Sequence, residues 1–237
     1  MVSGLDGLLK SRLQLWMRHN GAYPDNILVC RDGVSEGQYG LVLDQELPQL
    51  RSACRDVYPA ESTKRGLPRL TVLIVGKRHN TRFYPAKKED ADRSSNLPNG
   101  TVVDRGVTEA RNWDFFLQAH AAIQGTARPA HYYVVLDEIF PSQRVVSPFQ
   151  NTADVVESLM HNLCYLFGRA TKAVSICPPA YYADLVCDRA RCYLSGVFSP
   201  TPSASPGAST AGDTTVAGAD AGLVRIHERV RDRMFYI

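Results

Sequence analysis

The sequence predicts an α/β fold, a sheet with helices on its faces. Three observations carry that expectation. Short apolar runs at 27–30, 70–75 and 132–136 have the length of strands. Between and around them, apolar residues recur at helical spacing, as in Leu5, Leu9, Leu13 and Trp16. Finally, no internal repeat, G-x-G-x-x-G or Walker A loop points to another architecture.

The elements follow in order. Leu5, Leu8, Leu9, Leu13, Trp16 and Met17 define an opening amphipathic helix that Asn20 and Gly21 should end. Ile27–Cys30 reads as a short buried strand closing on Asp32. A second helix should start at Ser35, with Tyr39, Leu43, Leu47, Leu50 and Ala53 inward and a kink or break at Pro48. Leu70–Val75 is another buried strand. Residues 85–101 are polar and turn-rich, and Val102, Val103 and Val107 suggest short strands. Residues 112–119 and 132–136 complete the strands, the last ending in Asp137 and Glu138. Asn151 or Thr152 can cap a helix with Val155, Leu159, Leu163 and Phe167 inward. Val174–Cys177 reads as extended, and Pro178-Pro179 introduce a helix from Ala180 to about Leu194. Residues 195–222 are low in core-forming side chains and read as a disordered loop. A last helix should run from Leu223 to about Met234 and end in a docked Phe235-Tyr236-Ile237.

Composition excludes several classes. A chain of 237 residues with 44% hydrophobic and 22% charged residues can bury a core. Its net charge of +3 permits a local basic surface without announcing one. The six cysteines form no CxxC pair and mostly sit in apolar segments, so they read as buried free thiols in a reducing compartment. No apolar run reaches membrane length and no secretory pattern opens the chain, which makes the expected location cytoplasmic. The sequon at Asn99 is then idle.

Chemistry concentrates in four clusters. Asp32 stands at a strand end, where ligands of open α/β sheets gather, or it is simply a solvated turn acid. Lys77, Arg78, His79 and Arg82 leave a strand together, as a phosphate track or as a solvated edge. The loop from His120 through Gln124 and Arg128 to His131 holds a Gly-Thr turn that could approach a phosphodiester, or is an ordinary connection. On the late helix, Asp184 and Asp188 share a face, either as a solvated charge row or as a carboxylate aimed at Asp32 across a divalent ion. No Ser-His-Asp or Cys-His signature and no zinc spacing is present.

Taken in order, YPDNILVCRDGVSEGQ, VGKRHNTRFY, NLPNGTVVDRGVT, HAAIQGTARPAHYYVVLDE and SICPPAYYADLVCDRARCYL resemble the C-terminal part of the PIWI domain of a eukaryotic Argonaute, with residue choices most like a fungal member. The resemblance covers nearly all of residues 1–194, a partial PIWI domain, and resumes over 223–237, its C-terminal helix. It implies an RNase H-like α/β fold, a mixed sheet flanked by helices, here N-terminally truncated. Such proteins cut RNA paired to a guide with an acidic tetrad of Asp, Glu, Asp and a final Asp or His. By resemblance Asp32 is the third acid and Asp184 the fourth, while His131 stands in a different motif. Two divalent ions about 4 Å apart would clamp the attacking water and leaving oxygen, and hard oxygen ligands suit Mg2+ or Mn2+.

The resemblance also implies a departure. The first Asp and the Glu of the tetrad belong upstream of this sequence, as do the MID, PAZ and N-terminal domains. Lys77, Arg78, Arg82, His120, Gln124, Arg128, Arg169, Ser175 and Tyr182 would line the guide backbone. Arg189 and the Ile237 carboxylate would lie near the guide 5′-phosphate pocket, and Asp188 stands where an apolar residue is expected. The implied partners are a small guide RNA and its complementary target, not DNA or a membrane. With two of four acids, the chain alone is expected to bind RNA without cutting it. The alternatives are a piece of an active slicer and a non-catalytic protein-interaction remnant.

Overall fold

The structure is a computed structural model that describes residues 1–61, 66–193 and 226–237. Two compact units divide it, Met1–Ala180 and Tyr181–Ile237. Among the described residues, no helix is long and apolar enough to cross a membrane.

In the first unit, α1 (Leu5–Asn20) ends where Gly21 takes φ 74° and its N–H closes on the Met17 carbonyl. A left-handed residue at this place satisfies a last-turn carbonyl, and glycine adopts it without a Cβ clash. Strand β1 (Asn26–Asp32) follows. The second helical stretch is interrupted, as Pro48 requires, but the interruption takes the form of a π turn. Residues Val42–Glu46 widen the helix, and the Leu47 N–H reaches back to the Val42 carbonyl before α2 (Leu47–Val57) resumes. Pro48 therefore falls in the first turn of α2, where a missing N–H costs little.

Among the described residues, five strands form one mixed sheet in the order β1-β2-β5-β4-β3. The remaining strands are β2 (Arg69–Gly76), β3 (Thr101–Val103), β4 (Trp113–Gln118) and β5 (Ala130–Asp137). β1 and β2 run parallel, and the other neighbours are antiparallel. The central β2 is buried from Leu70 to Val75, as a strand covered on both faces should be. β1 corrects the expectation of a buried strand: with one neighbour among the described residues, it is exposed at Asn26 and only half-buried beyond. Leu47 and Leu50 of α2 pack on Leu70, while Leu13 of α1 meets Cys54 and Tyr58. Tyr132 and Phe115 are fully buried, with rings stacked 5.1 Å apart. Val107 lies outside any strand and is exposed, and Val174–Cys177 forms no ladder.

Helix α3 (Thr152–Leu163) opens with a capping box in which Asn151 accepts from the Asp154 N–H and Asp154 accepts from the Asn151 N–H. Its buried face is Val156, Glu157, Met160 and Cys164, one residue away from the expected Val155, Leu159 and Leu163. Apolar residues are doubled at 155–156 and 159–160, so two adjacent stripes compete and tertiary packing chooses between them. Helix α4 (Pro178–Tyr193) includes both prolines in its first turn and runs into the second unit. In that unit the expected last helix is a single turn, α5 (Glu228–Arg231), followed by turns; positions 223–225 and the expected loop at 195–222 fall outside the described residues. Ile237 is exposed, so the expected docking reaches only the half-buried Phe235 and Tyr236. All six cysteines are free, but Cys187 and Cys192 are exposed on α4, not buried as expected.

A buried ion pair joins β1 to the π turn. Arg31 donates from Nε and Nη2 to the Glu46 carboxylate at 2.9 and 3.1 Å, and the Val2 N–H donates to it at 2.9 Å. Burial pushes the Glu46 pKa up, but the Arg31 and Val2 hydrogen bonds and the Arg31 charge hold it below the ordinary value. A depressed carboxyl contributes stability above its unfolded pKa, about 4.3, and loses it as pH falls through the folded value. Glu46→Gln should therefore cost about 1–3 kcal/mol at neutral pH, with the difference from the parent shrinking below about pH 4. Denaturant unfolding of both proteins across that range measures it.

Candidate nucleic-acid interface

β2 ends at Gly76, which pairs with His131 at the start of β5. That antiparallel step lays the segment leaving β2 beside the segment entering β5, although more than forty positions separate Lys77 from Ala122 in the chain. Lys77, His120, Gln124 and Arg128 consequently line one cavity of about 670 Å³, with Ile123 and Thr126 beside them. Of the residues singled out in the 77–82 run and the 120–131 stretch, these four share one surface, whereas Arg78, His79, Arg82 and His131 are not among its lining residues. The turn between them requires Gly125 at φ 75°.

Positive charge in this cradle is uncompensated. Among the described residues, none that lines it is acidic. Burial and the neighbouring Arg128 push the Lys77 pKa down. Burial, and then Lys77, push His120 down to about 4, so its ring is neutral at physiological pH. The His120 Nδ1 is buried with no hydrogen-bond partner. Arg128 donates weakly to the Lys77 carbonyl at 3.4 Å, which leaves two cations and a neutral imidazole around open space. An anion with several acceptor oxygens would relieve all of these conditions together, and phosphate has that form.

Asn96 was not singled out from the sequence, yet it braces the loop. It is 4% exposed; its Oδ1 accepts from the Ala127 N–H at 2.8 Å and its Nδ2 donates to the Gly125 carbonyl at 3.0 Å. Gln118 Nε2 donates to the His120 carbonyl at 2.5 Å, and a His79 ring nitrogen lies 3.0 Å from the Pro129 carbonyl. Asn96 opens the NLPNG stretch, a turn signal that does not reveal a bond thirty residues away. Asn96→Ala should cost about 1–3 kcal/mol, because it leaves the buried Ala127 N–H without its acceptor. Denaturant unfolding of the variant and the parent measures it.

The other expected RNA-facing residues are distributed more widely. Arg78 is exposed next to the cradle. Arg82 turns inward, its Nη1 donating to the carbonyls of His79 at 3.0 Å and Thr81 at 2.7 Å, so it holds its own loop. Arg169 is exposed in the turn closed by the Ala170 N–H on Phe167 O, and Ser175 is half-buried beyond it; neither lines the cradle. In the second unit, Tyr182 is half-buried on α4, Asp184 and Arg189 are exposed on it, and Ile237 ends the chain exposed.

Asp32 stands at the last position of β1, half-buried, with Oδ1 accepting the Gly33 N–H at 2.5 Å. Gly33 has φ 74°, the left-handed form that this turn needs and that favours glycine. Arg31 hydrogen-bonds the Asp32 carbonyl while Glu46 holds its guanidinium, so the turn is fixed from behind. His131 is engaged elsewhere: its Nε2 lies 2.7 Å from Asp114 Oδ2, and its ring stacks on Phe116 at 4.3 Å. Among the described residues, no group of three or more His, Cys, Asp or Glu side chains is placed to hold a metal ion.

A mixed sheet with flanking helices agrees with the RNase H-like α/β fold that the resemblance implied. The chain belongs to the Piwi domain family, whose model matches residues 1–195. It is 41% identical over 239 residues to protein argonaute MEL1 of Oryza sativa subsp. japonica, covering 97% of this chain and 21% of that protein. It is also 41% identical over 233 residues to protein argonaute 5 of Arabidopsis thaliana, covering 97% and 22%. The chain thus spans about a fifth of the length of these relatives. Among solved structures, the C-terminal lobe of a budding yeast Argonaute matches with a TM-score of 0.76 at 28% identity, over 100% of this chain and 45% of that one. Kluyveromyces polysporus Argonaute with a guide RNA matches with a TM-score of 0.71 at 34% identity, over 84% and 23%.

Proposed function

We propose that this chain binds the backbone of a guide RNA, paired to its target, as the PIWI part of an Argonaute-like RNA-silencing protein. The observation that carries the reading is the cradle itself, where Lys77, His120, Gln124 and Arg128 converge with no acid among the lining residues. Support comes from the similar Kluyveromyces polysporus Argonaute, a structure with a guide RNA. Contacts of this kind read backbone shape and charge, which suits a protein that leaves sequence recognition to base pairing. By resemblance, Arg78, Arg169 and Ser175 of the first unit also contact guide backbone, and in the second unit Tyr182 does so while Arg189 and the Ile237 carboxylate serve the guide 5′-phosphate. A cytoplasmic setting fits six free thiols. The fungal affinity suggested by residue choice has support from the yeast neighbours and none from the plant relatives.

The test is RNA affinity as a function of salt. Phosphate-dominated binding falls linearly in log K against log salt. Flat binding between low and physiological salt would favour the alternative of a protein-interaction module.

Asp32 and Asp184 are the carboxylates that would hold Mg2+ or Mn2+ in a larger set of acids. Two carboxylates are too few to hold the two ions that such chemistry uses, so the isolated chain should not cut a guide-matched target in either metal. Cleavage at a defined position in that assay would contradict this and support the slicer reading.

A further inference from the structure

A second cavity, of about 380 Å³, lies between the start of β3, the segment around Phe149 and α3, and none of the cradle residues lines it. Two buried polar atoms on its lining residues lack any hydrogen-bond partner: Glu157 Oε1 and His161 Nε2. Glu157 is only 8% exposed. Buried carboxylates and imidazoles are rarely left this way, so each such atom asks for an explanation. Gly100, at φ 86°, lets the backbone lie against the His161 ring, where a Cβ would come within 2.8 Å of Cε1.

Charge and shape indicate what would fit. Asp154, also on the wall, already accepts the Gln150 N–H at 2.8 Å and the Asn151 N–H at 3.3 Å. Glu157 is the carboxylate without a partner. Burial, followed by the charges of Asp104 beyond β3 and Asp154 on α3, pushes its pKa up to about 7. Burial pushes His161, one turn further along α3, down, so its ring is neutral and can accept a proton at Nε2. Among the described residues, no lysine or arginine lines the cavity, while Val102, Pro148 and Phe149 supply apolar surface. A planar cation on an aliphatic stem satisfies both features: its fork matches a carboxylate, and its face and stem suit the apolar side.

We propose that this cavity binds an arginine-type guanidinium, with Glu157 as its carboxylate partner and His161 as a second acceptor. The proposal stands apart from the RNA reading, since Glu157 has no place in the cradle. Acetyl-arginine amide titrated calorimetrically into the full chain tests it, with spermidine as the free-polyamine comparison. Saturable binding of the arginine amide is expected, tightening about tenfold from pH 6 to pH 8 as Glu157 loses its proton. Glu157→Gln should weaken it at least tenfold and remove the pH dependence, with RNA affinity unchanged. An unaltered affinity in that variant, or no saturation at either pH, would overturn the proposal. Binding of spermidine without the arginine amide would overturn the guanidinium assignment.

Discussion

Replacing both Lys77 and Arg128 with alanine is expected to weaken RNA binding about a hundredfold, at roughly 1.5 kcal/mol for each charge-assisted hydrogen bond to phosphate that is removed. The effect should be the same for unrelated RNA sequences, because phosphates carry no sequence. The slope of log affinity against log salt should become shallower by about 1.4–1.8, the signature of two fewer neutralised phosphates. Stability should not suffer. Lys77 is half-desolvated beside Arg128, with its pKa pushed down for that reason, so the pair repel in the folded chain. A melting temperature equal to or above the parent's, with the RNA affinity reduced, separates a binding role from a structural one. Titration by fluorescence anisotropy at several salt concentrations gives the affinity and the slope together.

Tyr132→Ala should produce the largest loss of stability, about 3–5 kcal/mol, a sizeable part of what a domain of this size has. The ring is fully buried and stacked on Phe115. Its hydroxyl accepts from the Cys177 N–H at 3.1 Å, at the point where the chain turns into α4. Tyr132→Phe keeps the packing and leaves that buried N–H without a partner, at a cost of about 1–3 kcal/mol. The two variants therefore divide the ring's contribution from the hydroxyl's. Hydrogen exchange in the phenylalanine variant should rise around Cys177 while β2 stays protected. Equal losses in both variants would mean that the hydroxyl bond, not the ring, dominates.

What could be read beforehand divides along a physical line. α1, β2, β4 and β5 were legible because each is written in local pattern, apolar periodicity closed by Gly21 or a run of buried residues. A cap at Asn151 or Thr152 was legible for the same reason, and Asn151 makes it. The π turn at Val42–Glu46 was not legible, since an i to i−5 bond has no residue code and Pro48 says only that something must change. The phase of α3 was hidden where Val155 and Val156, then Leu159 and Met160, offer equal stripes. The insertion of β5 between β2 and β4 is a long-range choice, and it alone brings Lys77 to His120. Motif resemblance named both residues, but neither spacing nor composition could have joined them. Asn96 escaped because its partners, Gly125 and Ala127, lie in another loop. Glu157 was hidden by its apolar neighbours on the helix.

The central claim, that RNA lies in the cradle between the end of β2 and the loop before β5, is tested most directly by photocrosslinking. A short RNA carrying photoreactive bases is crosslinked to the full chain, and the attachment sites are found by mass spectrometry. Crosslinks are expected within 77–82 and 120–128 and should disappear in the Lys77→Ala, Arg128→Ala double variant. Crosslinks confined to other segments, or unchanged in that variant, would contradict it.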